Sequence, residues 1–345
     1  MINLKHFLEI AHLGPIKKAK IDLSKHTLII GPQASGKSVI AKLIYIFGKE
    51  SNIVCGDNYL LNEIAKYGLS SFFSNETRLK YESENIVVDY KEGQFDIIRK
   101  QDNASILFQS VFSECLYIPV ERYFMPIISD SIFSLLNKDI DLPSSIIDFA
   151  AQYERSRKSL KLVHVNYLGA TYQYEDNREK IITKQQVTKF AEAASGFQSI
   201  FPLIITYKHF IDNNAKKVII EEPELNLFPD TQKRLSYHLF SIITQHNRNE
   251  RLFVTTHSPF IMAAFNNLLL AGMLYEKYQD IDQVDEIIGE KAYIPINSFN
   301  AYHIINGNLK SIFNKETGMI AENIIDDVSG DVRDEFNTLM SAYFD

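Results

Sequence analysis

A glycine-rich octapeptide near the start of the sequence constrains the fold more than any other feature of this 345-residue chain. It follows the apolar run Thr27–Ile30 and precedes a stretch, Lys37–Phe47, whose apolar side chains recur at helical spacing. A G-x-x-x-x-G-K-[ST] loop between a strand and a helix directs its backbone N–H groups at phosphates. The octapeptide consists of Gly31, Pro32, Gln33, Ala34, Ser35, Gly36, Lys37 and Ser38.

The last two residues of this loop predict the ligand. A lysine at position 37 reaches β- and γ-phosphates, and the hydroxyl of Ser38 is a ligand for Mg²⁺. The two glycines allow the tight backbone turn, and the helix that follows adds a favourable dipole at its N-terminus. The sequence therefore predicts a site for ATP and Mg²⁺.

A pair of carboxylates follows a second apolar strand, which we predict from Lys217 to Ile220. Buried carboxylates are costly unless a positive charge lies beside them, and Mg²⁺ supplies such a charge. We therefore expect Glu221 on the metal side and Glu222 as the general base that polarises the attacking water. Glu224, two residues on, is expected to shape the following turn.

Two further segments carry candidate site residues. Ser195 and Gly196 open an apolar helix, where backbone N–H groups and a hydroxyl can bind an anion; an ordinary helix cap is the alternative. His257 ends the strand predicted over 251–256 and can sense a γ-phosphate or hold the water. A purely structural histidine is the alternative there.

Other segments set the expected architecture. Alternating apolar residues between Arg78 and Lys100 predict a β-meander, and a short hairpin is expected around 169–182. Helices are predicted over 123–160, 184–193 and 196–212. Strands that alternate with helices favour an α/β core with a mostly parallel sheet.

Composition and charge limit the partners. The net charge is −7, and only residues 1–50 and 151–217 lean basic, which indicates solvated basic faces around a nucleotide or a surface that faces nucleic acid. No apolar run approaches the roughly 18 residues needed to span a bilayer, so no membrane partner is expected. The two cysteines lack metal-ligand spacing, and a cytoplasmic location is expected by default.

In this order, the motifs resemble those of ABC-type ATPases, in the branch that contains RecF, the structural-maintenance-of-chromosomes (SMC) proteins and the OLD nucleases. Two runs are similar to those of compact bacterial AAA-labelled ATPases: E-E-P-E-x-x-L-x-P at 221–229 and Y-I-P-x-E-R at 117–122. The resemblance implies an α/β P-loop NTPase fold with a mixed central sheet, an N-terminal β-meander lobe and a short helical insertion in place of a long coiled coil. The implied boundaries are 1–122 and 190–345 for the ATPase core and 123–189 for a mostly helical insertion.

The same resemblance implies that ATP lies between two copies of the chain, as a homodimer or a higher assembly of dimers. Residues 225–227 would form the D-loop at that interface, and Gln109 would be the Q-loop glutamine. Phe197 stands where this branch usually has glycine, and Gln33–Ala34 where Asn–Gly is more frequent. One copy would contribute Lys37, Ser38, Glu221, Glu222 and His257, and the other Ser195 and Gly196.

For function, the resemblance implies an ATP-hydrolysing switch or motor subunit that regulates a separate effector, such as a nuclease. Subunits of this kind occur in anti-phage systems such as Septu, PARIS and retron-linked operons. The main alternative is a RecF-like DNA-binding ATPase, which a basic cluster on the insertion helix would serve. A scaffold that binds ATP without turnover and a transporter ATPase are the remaining alternatives. The basic cluster consists of Arg155, Arg157, Lys158 and Lys161.

Overall fold

The computed structural model describes residues 6–53, 57–100, 115–128, 142–213, 215–246, 250–278, 282–321 and 333–340. A central sheet of eleven strands runs through the molecule in the order β6-β5-β4-β1-β2-β15-β14-β3-β13-β12-β7. Its strands are β1 Phe7–Leu13, β2 Ile16–Asp22, β3 His26–Ile30, β4 Arg78–Glu82, β5 Ile86–Lys91, β6 Gln94–Arg99, β7 Cys115–Ile118, β12 Lys217–Glu221, β13 Arg251–Thr256, β14 Phe299–Ile305 and β15 Asn308–Ser311.

The sheet has an antiparallel half and a parallel half. Strands β1, β2 and the β4–β6 meander pair antiparallel, which confirms the meander predicted between Arg78 and Lys100. Strands β14, β3, β13, β12 and β7 pair parallel. Because parallel strands end at the same edge of a sheet, the segments that follow β3, β12, β13 and β7 meet there.

Helices cover both faces of the parallel half. The helices are α1 Lys37–Gly48, α2 Glu50–Ile53, α3 Asp57–Lys66, α4 Met125–Ile128, α5 Ser144–Ser159, α6 Ser195–Asp212, α7 Pro229–His246, α8 Pro259–Tyr278 and α9 Asp282–Ile288. Alternate residues of each buried strand contact opposite cores: in β3, Leu28 and Ile30 pack on the side of α6–α8, and Ile29 packs on the side of α1. This two-sided burial explains why the buried strands contain continuous apolar runs, such as residues 28–30 and 218–220, in place of an alternation with polar residues.

The region predicted as a mostly helical insertion contains more strand than expected. Helix α5 is present, but residues 162–189 form a second, four-stranded antiparallel sheet in the order β11-β10-β9-β8. The hairpin expected around 169–182 is its centre, and the helix predicted over 184–193 is wrong, since a strand and a 3₁₀ turn, Phe190–Glu192, lie there. The strands are β8 Leu162–Val165, β9 Ala170–Glu175, β10 Arg178–Thr183 and β11 Val187–Lys189.

This small sheet packs on helix α5 through a buried aromatic and charged cluster. Tyr153 of α5 and Tyr172 of β9 both donate to the carboxylate of Glu179 in β10, the latter at 2.7 Å. Arg157 of α5 forms an ion pair of 2.8 Å with the same carboxylate. Two or more donors on one buried carboxylate offset its loss of water, so the cluster fastens the sheet to the helix.

The remaining described elements are short. A two-residue ladder, β16 Phe313–Asn314 with β17 Met319–Ile320, follows β15, and residues 333–340 are helical. Helices α7 and α8 pack against each other, and α6 packs on α5 and α7. Within the described part of the chain, no helix combines the length and the apolar character needed to cross a membrane.

Candidate nucleotide-binding site

The glycine-rich loop lies between β3 and α1, as the sequence predicts. Two of its residues adopt left-handed backbone conformations, Ala34 with φ 59° and Gly36 with φ 105°. A Cβ atom on Gly36 would lie 2.7 Å from Cγ1 of Ile16, which is backed by the turn between β1 and β2. Glycine at position 36 is therefore required both by the backbone angle and by the close approach of that turn.

Lys37 is folded back onto the loop. Its ammonium donates to the carbonyls of Gly31, at 2.7 Å, and Pro32, at 2.9 Å, and only 5% of the residue is exposed. Burial lowers the pKa of Lys37, while the nearby carboxylates of Glu222, Glu224 and Glu221 act in the opposite direction. The lysine thus occupies the cavity of the loop and lies within electrostatic reach of the acid pair.

Glu221, the last residue of β12, is buried with only 3% of its surface exposed. Its Oε1 accepts no hydrogen bond from the described residues. Burial raises the pKa of Glu221 to about 7, with Lys42, Tyr117 and Ser38 among the neighbours that act on it. A buried carboxylate oxygen without a partner is costly, so this atom is suited to a cation.

The oxygen donors present here fit Mg²⁺. Ser38 is exposed at the start of α1, and it is one of the groups that act on the Glu221 carboxylate. Mg²⁺ commonly binds one or two protein oxygens together with substrate phosphates and water, so Ser38 and the unpartnered Oε1 of Glu221 suffice. Over the described ranges, no cluster of three or more His, Cys, Asp or Glu side chains suitable for a metal occurs.

Glu222 is held in a strained turn directly after β12. Its φ is 42°, its N–H donates to the carbonyl of Thr255 at 2.9 Å, and its carbonyl accepts from Leu225 at 3.1 Å. A left-handed conformation at a non-glycine residue costs energy and persists only where its surroundings fix it. Oε1 of this side chain lies 3.6 Å from Nδ1 of His257.

Glu224 does more than shape the turn. Its Oε1 accepts hydrogen bonds from the hydroxyl of Thr256, at 2.6 Å, and from the backbone N–H of His257, at 2.8 Å. The same oxygen lies 3.4 Å from Nδ1 of His257, whose side chain is 45% exposed. The third acid of the E-E-P-E run therefore fixes the end of β13 and orients the histidine toward Glu222.

Arg122 is a site residue whose role the sequence did not reveal. It belongs to the 3₁₀ turn Val120–Phe124 that follows β7, and it is completely buried. Its guanidinium donates to the carbonyls of Glu221, at 2.7 Å, and Glu222, at 2.6 Å. The run Y-I-P-x-E-R singled out this segment, but an arginine in a surface turn and a buried one look alike in sequence.

Ser195 and Gly196 begin helix α6, as predicted, and Gly196 lies beside residues 225–227, the segment predicted as the D-loop. Ser195 is exposed, and the preceding residue, Ala194, caps the helix without a side-chain hydrogen bond. A Cβ on Gly196 would lie 3.2 Å from the carbonyl oxygen of Asn226, so a side chain there would press on the D-loop. Asn226 has φ 59° and is itself exposed.

The predicted residues are thus brought together in two groups. Lys37, Ser38, Glu221, Glu222 and His257 converge at the carboxyl edge of the parallel strands. Ser195 and Gly196 lie at the start of α6, where Gly196 approaches Asn226. Gln109 lies outside the described residues, so its assignment stays a prediction.

Among known families, one matches part of this chain. The sequence profile of the AAA ATPase domain family matches residues 125–262, less than half of the chain. The matched segment includes the acid pair and His257, and ends short of the glycine-rich loop on its N-terminal side. Among curated proteins, none matches the sequence.

Similar solved structures include two SMC head domains and one ATP-binding cassette. The SMC head domain from Thermotoga maritima is 12% identical, with 90% of this chain and 98% of that chain covered and a TM-score of 0.43. The SMC head domain with an extended coiled coil, bound to the C-terminal domain of ScpA derived from Pyrococcus furiosus, is 13% identical, with 94% and 99% covered and a TM-score of 0.48.

The cassette is that of an ABC transporter in its ADP conformation, 12% identical, with 93% and 95% covered and a TM-score of 0.40. At these values, the fold assignment depends on the strand order and the loop geometry of the chain itself. A strand, a glycine-rich G-x-x-x-x-G-K-[ST] loop and a helix, followed by a parallel strand ending in two acids and another ending in histidine, give the chain the elements of a P-loop nucleotide-binding site.

Proposed function

We propose that the chain is an ATP-hydrolysing switch subunit that acts as an ABC-type dimer. The observation that carries the proposal is the convergence of Lys37, Glu221, Glu222 and His257 at adjacent carboxyl ends of parallel strands. The register places Ile30 beside Thr256 and Thr255 beside Glu221, so the P-loop, the acid pair and the histidine follow neighbouring strands. Crevices at this edge of parallel sheets are where α/β proteins bind nucleotides.

Binding of the phosphates would begin with Lys37. The ammonium would exchange the carbonyls of Gly31 and Pro32 for γ-phosphate oxygens, leaving the loop open to the nucleotide. A charge-assisted hydrogen bond to phosphate is stronger than one to a neutral carbonyl, so this exchange favours binding. Mg²⁺, held by Ser38 and Glu221, would neutralise charge on the phosphate oxygens.

Hydrolysis would use Glu222 as the base that takes a proton from the attacking water. Its turn is fixed by hydrogen bonds at both N–H and C=O, which aims the carboxylate and limits its motion. His257, oriented by Glu224, would hold the water or contact the γ-phosphate from the neighbouring strand. General-base catalysis of this kind contributes about 10²- to 10⁴-fold to the rate.

A second copy would complete the site. Ser195 is exposed at the start of an eighteen-residue helix, and its N-terminal N–H groups suit a phosphate. Because Ser195 is exposed, it would be available to the ATP of a partner. A two-fold dimer would make the two shared sites equivalent.

The test combines ATP turnover with molecular mass in solution. We expect the native chain to hydrolyse ATP and Glu222→Gln to lose at least about 100-fold in kcat while retaining ATP and accumulating as an ATP-dependent dimer. Glu175→Gln, an exposed acid in the small sheet, is the matched control and should behave as the native chain. Normal turnover by Glu222→Gln would exclude its role as base, and an ATP-independent mass would exclude the shared site.

We further propose that the switch regulates a separate effector in anti-phage defence. The support is the similarity of the runs at 117–122 and 221–229 to compact bacterial AAA-labelled ATPases, a kind of ATPase that resembles components of such systems. Phage plating on cells that express the chain with its operon neighbours should lose protection when Lys37 is replaced by alanine. Unchanged protection would reject this role without affecting the ATPase proposal.

The RecF-like alternative is not favoured. In the structure, Arg157 is paired with buried Glu179 and Lys158 with Glu154, so two charges of the predicted basic cluster are neutralised within the chain. A DNA clamp needs a run of uncompensated cations, and its binding should weaken steeply with salt. Turnover that rises with duplex DNA would restore this alternative.

A further inference from the structure

Arg122 connects two parts of the molecule that the sequence places far apart. Its side chain makes hydrogen bonds to four backbone carbonyls and is fully buried. Two of these carbonyls belong to Glu221 and Glu222, at 2.7 and 2.6 Å, and one to Ser199 in the first turns of helix α6, at 3.3 Å. The fourth belongs to Pro119 in its own turn, at 3.1 Å.

The positive charge of Arg122 is fully buried, which is costly for a guanidinium. Burial lowers the pKa of Arg122 to about 10, while the carboxylates of Glu224, Glu221 and Glu222 act in the opposite direction. Each of its hydrogen bonds to the described residues ends on a neutral carbonyl, so within this part of the chain backbone groups solvate the charge and no carboxylate pairs with it one to one. An apolar side chain would fill the same space without this cost, which indicates that the geometry of the bonds matters.

The arrangement of the four carbonyls around Arg122 suits a planar guanidinium. A guanidinium presents five N–H donors in fixed directions, whereas a lysine has one ammonium on a flexible chain. Arg122 uses three nitrogen atoms to reach two different elements, the turn after β12 and the start of α6. The Glu222 end of this bridge is the strained residue with φ 42°, and the bond to Nη2 fixes its carbonyl.

We propose that Arg122 is a positioning residue that holds the Glu222 turn and the signature end of α6 in one fixed relation. A displacement of the α6 N-terminus, where a partner would engage Ser195, is transmitted by the guanidinium to the backbone of Glu222 and changes the aim of its carboxylate. The catalytic part of this inference rests on the proposed ATPase activity. The mechanical part, that one side chain fixes both elements, concerns the isolated chain.

The experiment compares Arg122→Lys and Arg122→Met with the native chain. The matched control is Arg157→Lys, which alters an arginine of helix α5 that pairs with Glu179 of the small sheet, outside the site. We expect kcat to fall about 100-fold in Arg122→Met and about 10-fold in Arg122→Lys, with KM changed less than about threefold, since a misplaced base impairs the chemical step more than binding. Arg157→Lys should leave both constants unchanged.

Amide hydrogen exchange in the nucleotide-free chain supplies a readout that needs no turnover. In Arg122→Lys, the amides of Glu222 and Leu225 and those of the first turns of α6 should exchange about tenfold faster, because local opening costs less free energy. The amide of Ile40, which is bonded to Gly36 in the P-loop helix, should not change. A uniform rise at all amides, or no rise at Glu222 and Leu225, would overturn the proposal.

The two readouts separate the two claims. If the native chain shows no ATP turnover but the exchange pattern is as expected, the proposed function fails and the mechanical link stands. If turnover is normal in both Arg122 variants, the positioning role is rejected while the ATPase remains. Should Arg122→Met fail to fold, Arg122→Lys decides alone.

Discussion

Two buried glutamates, one in each sheet, show how the chain separates stability from function. Glu179 in the small sheet accepts from Tyr153 and Tyr172 and is paired with Arg157. Glu221 at the end of β12 is as well buried, yet its Oε1 accepts no hydrogen bond from the described residues. The first carboxylate is satisfied by the fold, and the second is left to be satisfied by a ligand.

Glu179 and Glu221 both bear the cost of burying a carboxylate, so they differ in what offsets that cost. A fully bonded group contributes to a unique packing and binds nothing further. A group with an open oxygen destabilises the empty protein and strengthens binding of whatever supplies the missing charge. We therefore expect substitutions in the two places to separate cleanly into changes of stability and changes of ligand affinity.

The largest expected effect is on binding, at Lys37. Lys37→Met removes the cation that would contact the phosphates, and ATP affinity should fall about 100-fold or more, as for other desolvated charge pairs. Stability of the nucleotide-free chain should change little, because burial already disfavours the charged form of Lys37. Isothermal titration with ATP and urea denaturation measure the two quantities.

The control for this prediction is Lys158→Met, which removes an exposed lysine paired with Glu154. It should change neither ATP affinity nor stability beyond about 0.5 kcal/mol. Equal affinity of Lys37→Met and the native chain would show that the loop does not bind phosphate through this lysine.

The next largest effect is on stability, at Glu179. Glu179→Gln leaves Arg157 buried beside a neutral amide, and the free energy of unfolding should fall by about 3 kcal/mol. ATP turnover per folded molecule should be unchanged. The double variant Glu179→Gln, Arg157→Met should recover part of the loss, and a double-variant cycle in urea measures the recovery.

Substitution of Glu221 should change the free energy of unfolding in the opposite direction to substitution of Glu179. Its folded pKa of about 7 lies above the value of 4.5 for an unburied glutamate, so the folded chain binds more protons between these values and loses stability as pH rises through them. Glu221→Gln keeps the shape without the charge, and at pH 8 it should raise the free energy of unfolding by roughly 1 to 3 kcal/mol. Destabilisation by this substitution at pH 8 would contradict the comparison with Glu179.

The smallest effect comes from a buried base outside both clusters. His26 accepts a hydrogen bond from the N–H of Leu252 at 3.1 Å, and burial, followed by the charge of Arg251, lowers its pKa to about 3. Below pH 6.5 the unfolded chain takes up a proton that the folded chain refuses, so this contribution is present above pH 6.5 and lost on acidification.

Between pH 7 and 5.5 the loss from His26 should be about 1 kcal/mol, opposite in sign to the contribution of Glu221 over the same range. His26→Asn keeps a hydrogen-bond acceptor near the same place without a titratable ring. In thermal unfolding measured at a series of pH values, this variant should lose less stability on acidification than the native chain. His6, whose pKa is also lowered to about 3, should leave a residual slope. An unchanged slope in His26→Asn would assign the acid sensitivity elsewhere.

The sequence predicted the parts of the fold that local patterns encode. Apolar runs bounded by glycine or by acids identified β3, β12 and β13, because a strand buried on both faces carries several apolar residues in succession. The alternation in the meander identified β4–β6 for the opposite reason, since one face of those strands is more exposed. The order of these elements predicted an α/β core, which is confirmed, but a mostly parallel sheet; the mixed sheet that the structure has was implied by the family resemblance.

The small sheet was underestimated because its outer strands are short. Strand β11 spans three residues and β8 four, too few for a period of two to be distinguished from a helical turn. Its stability comes from Glu179 and Arg157, which lie 22 residues apart and meet only in the folded chain. Pairings of this kind leave no local signal in a single sequence.

In the candidate site, the sequence predicted the residues with a chemical role but not the residues that hold them in place through hydrogen bonds. Motif spacing identified the acid pair and His257, because the chemistry fixes which residues follow which strand. Arg122 and the carboxylate of Glu224 act through hydrogen bonds to backbone groups 99 and 33 residues away, respectively. Such contacts depend on the register of β7, β12 and β13, which sequence patterns do not specify.

The contact between Gly36 and Ile16 has a consequence for how the phosphate-binding loop should be defined. The eight residues of the motif do not determine the conformation of the loop alone, since the hairpin between β1 and β2 packs against Gly36. A larger side chain at position 16, which no motif search inspects, would deform the loop as surely as a change within it. The phosphate-binding loop should therefore be defined as a structural unit that includes both the hairpin and the eight-residue motif.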